Sequence, residues 1–243
     1  MVVNAAQPEP ARLDPQSSRG DGRHEVKALL AEYDLHAIRH WLAMHPAGFQ
    51  PLYQPRTVNN VYFDTWEFGA CQDNLSGISI RTKVRLRWYG ELERFERARL
   101  EMKLKRNQLG WKDIYDVPIA VELCGGRWRD IRRRIRAELP PSAQQRFDLS
   151  AMPTIINSYQ RSYHASHDRK VRVTLDTHQR VWDQRFKPWP NVQHPAPLVP
   201  TLIVEFKFDP ADRKAAESIM ATLPMRAGKS SKYVAGVLAS IGR

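Results

Sequence analysis

The sequence predicts an α+β fold in which antiparallel strands, each cationic on one face and apolar on the other, are covered by amphipathic helices. Two observations carry this. Period-two alternation recurs in at least five segments between residues 23 and 208, and stretches at helical spacing, bounded by capping residues or prolines, lie between and after them.

Residues 1–22, rich in Pro, Ala, Ser, Gly and Asp without periodicity, are expected to be a disordered leader, with a single domain over 23–243. RHEVKALLA sets Arg23, Glu25, Lys27 and Leu29 against His24, Val26, Ala28 and Leu30, the pattern of a strand. Asp34 can cap a helix that carries Leu35, Ile38, Trp41 and Leu42 and ends before Pro46. NNVYFDT, residues 59–65, is β-branched and aromatic and predicts another strand. NLSG, residues 74–77, is a turn signal leading into a stretch that sets Arg81, Lys83, Arg85 and Arg87 against Ile80, Thr82, Val84, Leu86 and Trp88. LEMKLK repeats the pattern, with Glu101, Lys103 and Lys105 opposite Leu100, Met102 and Leu104. DIRRRIRAEL, residues 130–139, predicts a basic helix closed by Pro140 and Pro141, its arginines forming a solvated face. NSYQRSYHAS and KVRVTLD predict a strand pair, the second placing Lys170, Arg172, Thr174 and Asp176 against Val171, Val173 and Leu175. Residues 187–200 carry five prolines and predict a loop. LIVEFKF then sets Glu205 and Lys207 against Leu202, Val204, Phe206 and Phe208, and helices are expected over 211–222 and from Ser230 onward.

Composition narrows the function. With 38 Lys and Arg against 26 Asp and Glu, the formal charge is +12, which favours acidic partners such as phosphates, nucleic acid or anionic lipid. Two cysteines, Cys71 and Cys124, make no disulfide framework and suit a reducing compartment. No apolar run approaches the ~20 residues needed to span a bilayer, and the N-terminus lacks a signal-peptide core, so a cytoplasmic location is expected. GKSS at residues 228–231 lacks the glycine that a phosphate loop needs at position 223, where Leu223 stands, and His164 and His167 are too few for a metal site. The aromatics of WYG, VYFD and VWDQRF are expected in the core or packed against helices.

A single cationic strand face is commonly just solvated. Solvated faces usually mix Ser, Thr, Gln and both charge signs, whereas Lys and Arg dominate here. If the faces converge inside a closed sheet, neighbouring same-face cations about 7 Å apart repel by roughly 2 kcal/mol at an effective dielectric of about 20. A bound polyanion, assisted by a carboxylate-held metal, would reverse that balance.

RHEVK, NNVYFDT, KVRLRWYG, LEMKLK with GWK at 110–112, YQRSY around Arg161, VRVTLD, VEFKF and SSKYVAG occur in an order that resembles the VTC domain, the polyphosphate polymerase domain of the triphosphate tunnel metalloenzyme (CYTH-like) superfamily, over roughly residues 23–240. The resemblance implies a closed antiparallel β-barrel of about eight strands, a triphosphate tunnel, with helices packed outside. It implies that Arg85, Arg87, Lys103, Arg161, Arg172 and Lys232 act on the phosphates, that Lys27, Lys112, Lys83, Lys105, Lys207 and Ser231 bind substrate, and that Glu205, with Glu101 and Glu25 as weaker candidates, holds Mn2+ or Mg2+. The implied partners are ATP and inorganic polyphosphate, with no specific nucleic acid; a membrane partner stays open. Tunnel triphosphatases begin with Glu-x-Glu-x-Lys, but Arg23 stands at the first Glu position, as suits the VTC branch. A hydrolase acting on triphosphates and a non-catalytic polyanion binder are the alternatives.

Overall fold

A computed structural model describes residues 24–106, 109–223 and 231–241; the expected leader lies outside them. In chain order the elements are β1 (His24–Ala31), α1 (Leu35–Met44), β2 (Gln50–Asp64), α2 (Gly69–Leu75), β3 (Ile80–Tyr89), β4 (Arg94–Phe95), β5 (Ala98–Arg106), β6 (Leu109–Val117), β7 (Val121–Glu122), α3 (Trp128–Ala137), α4 (Pro141–Leu149), β8 (Met152–Ala165), β9 (Val171–Asp183), β10 (Pro195–Ala196), β11 (Thr201–Phe208), α5 (Arg213–Ala221) and α6 (Lys232–Ile241). The large sheet runs β1-β11-β9-β8-β2-β3-β5-β6, with β10 beside β9; β4 and β7 form a separate pair. Every pairing is antiparallel.

Directly paired residues share a face, so the register assembles the two faces residue by residue. Lys27 pairs with Glu205 and Glu205 with Thr174. Tyr163 pairs with Thr174, and Arg161 with both Asp176 and Arg56. Asn60 pairs with Arg87, Arg85 with Glu101, and Lys103 with Lys83 and Lys112. One face of the eight strands therefore gathers the charged residues, with an apolar patch at Ile155 and Val181.

The opposite face is apolar and carries the helices. Ile38 and Leu42 of α1 and Ala216 and Ile219 of α5 pack with Val173, Val204 and Phe206. Ile131 and Ile135 of α3 and Phe147 of α4 pack with Phe63, Val84, Leu86, Leu100 and Met102. Burying each such side chain contributes about 1.5–3 kcal/mol. The helix α6, with Cys71 of α2 in the same cluster, is an exception. Its Tyr233, Val234 and Val237 pack on Tyr62, Ile155 and Val181, which lie on the polar face near the β2 end and β3 start. Gly236 permits this approach, because a Cβ there would meet Ile155 Cδ1 at 2.5 Å.

The expected closed barrel is not found: the hydrogen-bonded ladder is open, and among the described residues β1 and β6 do not pair. Closing it would bring these edge strands to about 4.8 Å and crowd the cations behind them. Side chains reach across the gap, with Glu25 on β1 lying 3.9 Å from Lys103 on β5.

Several local expectations also change. Asp34 makes no side-chain cap to α1. The helix α2 was not legible because it is capped from several residues away: Asp64 accepts from the backbone N–H groups of Ala70 and Cys71, and Thr65 Oγ1 from that of Gly69. Pro140 and Pro141 end one helix and also begin α4, where Pro141 occupies the first turn and loses no backbone hydrogen bond. Arg132 leaves the expected solvated row: its guanidinium lies 4.3 Å from the Phe147 ring centroid and donates to the Ser150 and Phe147 carbonyls. Trp88, Phe63 and Trp182 are buried as expected and Tyr62 is packed under α6, but Tyr89 is 38% exposed and Phe186 71%. No helix among the described residues is long and apolar enough to cross a membrane.

Candidate active site

The polar face gathers its charges around four carboxylates. Glu101 accepts from Arg85 Nε at 2.7 Å and Nη2 at 2.5 Å, with Arg87 at 3.4 Å and Lys112 at 3.2 Å. Asp176, fully buried, takes a two-pronged pair from Arg161 (2.6 and 2.7 Å) and a bond from Lys232 at 2.5 Å. Glu205 faces Lys207 at 2.7 Å and Lys27 at 3.5 Å, and Glu25 faces Lys27 at 2.6 Å. Thus Lys27, Lys83, Arg85, Arg87, Lys103, Lys112, Arg161, Lys207 and Lys232 gather on this face with Glu25, Glu101, Asp176 and Glu205.

Burial by itself would raise the Glu101 carboxyl, but Arg85, Arg87 and Lys112 outweigh it and hold the group well below the usual carboxylate range. The same balance lowers Glu205, through Lys207, Lys27 and Arg161, and Asp176, through Lys232 and Arg161. The surplus of cations shows in the lysines. Lys83 is pushed down to about 8 by burial and then by Arg81, Lys103, Lys27 and Arg85. Lys112 also falls to about 8, because burial together with Arg85 and Arg87 outweighs Glu101. Lys103 is lowered for the same first reason. A face whose lysines are eased toward neutrality is one that an anion would complete.

That imbalance gives a pH prediction. With pKa values depressed below 10.5, Lys83 and Lys112 hold fewer protons in the folded than in the unfolded chain from about pH 8 upward, so the empty protein should gain stability as pH rises from 7.5 to 9. Inorganic triphosphate should keep both protonated, so its affinity should fall over that window and the rise in unfolding temperature should flatten. Melting curves at both pH values, with and without triphosphate, check this; parallel slopes would contradict it.

Most of the expected residues come together, but not all. Arg172 stands at the strand end opposite Lys207 and makes no ion pair among the described residues. Lys105 pairs in register with Arg81, and its side chain lies outside the described residues. Ser231 accepts from Lys83 Nζ at 3.1 Å. Sequence reasoning missed the groups that aim the cations. Tyr159, buried, lies under Arg161 and Lys232, with ring distances of 5.3 and 4.7 Å, and accepts from Arg87 at 3.4 Å. Asn60 accepts from Arg87 Nε at 2.8 Å and donates to Asn157 at 2.9 Å. Tyr62 accepts from Arg85 at 3.4 Å and stacks on Tyr233, whose hydroxyl donates to Asp64. Asp64 thereby ties α6, and Lys232 at its start, to the end of β2. Asp176 was visible in VRVTLD among the polar-face residues; its role as anchor was not. Thr174 Oγ1, buried between Glu205 and Tyr163 in the register, has no hydrogen-bond partner among the described residues, which suits an incoming acceptor atom.

No group of three or more metal-ligating side chains occurs among the described residues. Glu205 and Glu25 share Lys27 and, among the described residues, are held only by flexible lysines, whereas two arginine forks and Lys112 converge on Glu101. A hard divalent ion that takes one or two carboxylates and completes its shell with phosphate oxygens fits Glu205 and Glu25; among the described residues there is no all-protein cage.

The family model for the VTC domain matches residues 22–241. No curated protein matches the chain significantly. Among solved structures, the PH1819 protein from Pyrococcus horikoshii OT3 is 13% identical, with a TM-score of 0.42, over 89% of this chain and 99% of that one. A putative adenylate cyclase from Vibrio parahaemolyticus is 12% identical, with a TM-score of 0.44, over 87% of this chain and 96% of that one.

Proposed function

The chain belongs to the VTC domain family, and on that premise we propose that it is a polyphosphate polymerase that moves the terminal phosphate of ATP onto a growing polyphosphate chain held along the polar face. The observation that carries the reading is the convergence of Arg85, Arg87, Arg161 and Lys232 beside Lys83 and Lys112, which burial and neighbouring cations push toward neutrality.

Phosphoryl transfer needs positioning and charge stabilisation more than a protein nucleophile. Arg85 and Arg87 present forked donors whose direction is fixed by Glu101, Tyr62 and Asn60, so little ordering remains to be done when phosphate arrives. Arg161 and Lys232, aimed by Asp176, grip the same chain from the β8 and α6 side. Lys27, Lys103 and Lys112 neutralise the charge that spreads over the equatorial oxygens during transfer. Glu205 and Glu25 would hold Mn2+ or Mg2+, which supplies Lewis-acid charge neutralisation to the phosphate oxygens. The attacking group is the end of a phosphate or polyphosphate chain, and ADP leaves.

The purified protein, given ATP and Mn2+, should make long-chain polyphosphate visible on stained gels. ATP converted only to ADP and free phosphate would sink the polymerase reading and leave a tunnel hydrolase. Steeply salt-dependent RNA binding without ATP turnover would point to a non-catalytic binder instead.

A further inference from the structure

We propose that Arg56 and the three tyrosines around it, Tyr53, Tyr89 and Tyr163, form a docking platform for the base of a nucleoside triphosphate. The proposal rests on the reading that the polar face takes the phosphates.

The guanidinium carbon of Arg56 lies 5.4 Å from the Tyr53 ring centroid, 5.5 Å from Tyr89 and 5.5 Å from Tyr163. Tyr53 and Tyr163 meet edge to face at 5.5 Å and 86°. Such contacts hold the guanidinium in place through the negative ring faces. Among the described residues Arg56 makes no ion pair, unlike the buried arginines of the phosphate grip.

The platform adjoins that grip. Tyr89 follows Arg87 by two residues on β3 and Tyr163 follows Arg161 by two on β8, so each ring lies on the same face, about 7 Å along its strand. Arg56 pairs with Arg161 in the ladder. All of this lies toward the β3 C-terminal end, opposite the β3 start where α6 packs. A nucleotide entering from the open end would place its phosphates on Arg87 and Arg161 and its base at the rim.

The rings themselves point to a base rather than more phosphate. Tyr53 is 52% exposed and Tyr89 38%, so apolar surface is left in water beside a strongly cationic face. A ring face is negative and repels phosphate oxygens, so a polyphosphate exit would be lined with further cations. Bases stack on tyrosine rings and on guanidinium planes alike, without needing edge-specific hydrogen bonds. ATP and GTP should therefore be accepted with similar affinity.

Calorimetry with a non-hydrolysable ATP analogue and with inorganic triphosphate, in the same buffer and metal, tests this on Tyr53→Ala/Tyr89→Ala. The variant should lose about five- to a hundredfold in affinity for the nucleotide, the size of one base–aromatic stack, and stay within about twofold for triphosphate. Tyr89→Phe, which keeps the ring, should bind the nucleotide like the parent. Tyr53→Ala alone serves if the double variant does not fold. Equal losses for both ligands, or none for the nucleotide, would overturn the platform and leave the phosphate reading intact. A parent protein that binds neither ligand would overturn the phosphate reading and the platform with it.

Discussion

Replacing Asp176 by Asn should lower the unfolding temperature of the empty protein by roughly 6–20 °C. The carboxylate is fully buried and receives Arg161 through two bonds and Lys232 through a third. The isosteric amide keeps the volume but removes the charge, which leaves two cations at 12% and 11% side-chain exposure without their counterion. Breaking one partner out of a buried pair costs about 3–5 kcal/mol, and each kcal/mol corresponds to about 2–4 °C for a domain of this size. Saturating inorganic triphosphate should recover part of the loss, because phosphate oxygens can take up the freed donors. A change below about 2 °C, or a loss that triphosphate does not touch, would show that Asp176 is not the anchor of Arg161 and Lys232.

The second large effect is on turnover. Arg87→Ala should reduce kcat/KM for ATP by about 100- to 1000-fold, the usual consequence of removing one preorganised donor from a transition-state site. Arg87 is 9% exposed and locked by Asn60, Tyr159 and Glu101, so its donors are held in place before the phosphate arrives. Arg87→Lys keeps the charge but not the fork, and should retain a measurable fraction of the activity. Arg129→Ala is the control: its side chain is 83% exposed on α3, on the far side of the sheet, and should leave turnover unchanged. Arg87→Ala turning over ATP at the control rate would remove Arg87 from the site.

Strand alternation in β1, β3, β5, β9 and β11 was legible because a period of two is written in consecutive residues and needs no distant partner. So were α1, α3, α5 and α6, which announce themselves by spacing and by nearby prolines or polar boundaries. The helix α2 was not, because its caps come from Asp64 and Thr65 rather than from the residue before it. Tyr62 and Phe63 show the limit within one motif: both are aromatic in VYFD, yet only the register says that Tyr62 meets Arg85 while Phe63 meets Phe147. For the site, the residue types could be read but not their company. Arg161 and Lys232 are 71 positions apart, and nothing local says that one carboxylate on a third element, β9, aims both.

By itself the sequence determined that one face of each strand would be cationic and the other apolar, that helices would cover the apolar side, and that the ordered motifs place the chain in the VTC domain family. Only the tertiary structure decided that the faces converge without the outer strands pairing, that Asp176, Tyr159 and Asn60 orient the cations, and that α6 sits on the polar face. The physical reason is that side-chain alternation is fixed by neighbours along the chain, whereas the balance of buried charge depends on which strands lie side by side.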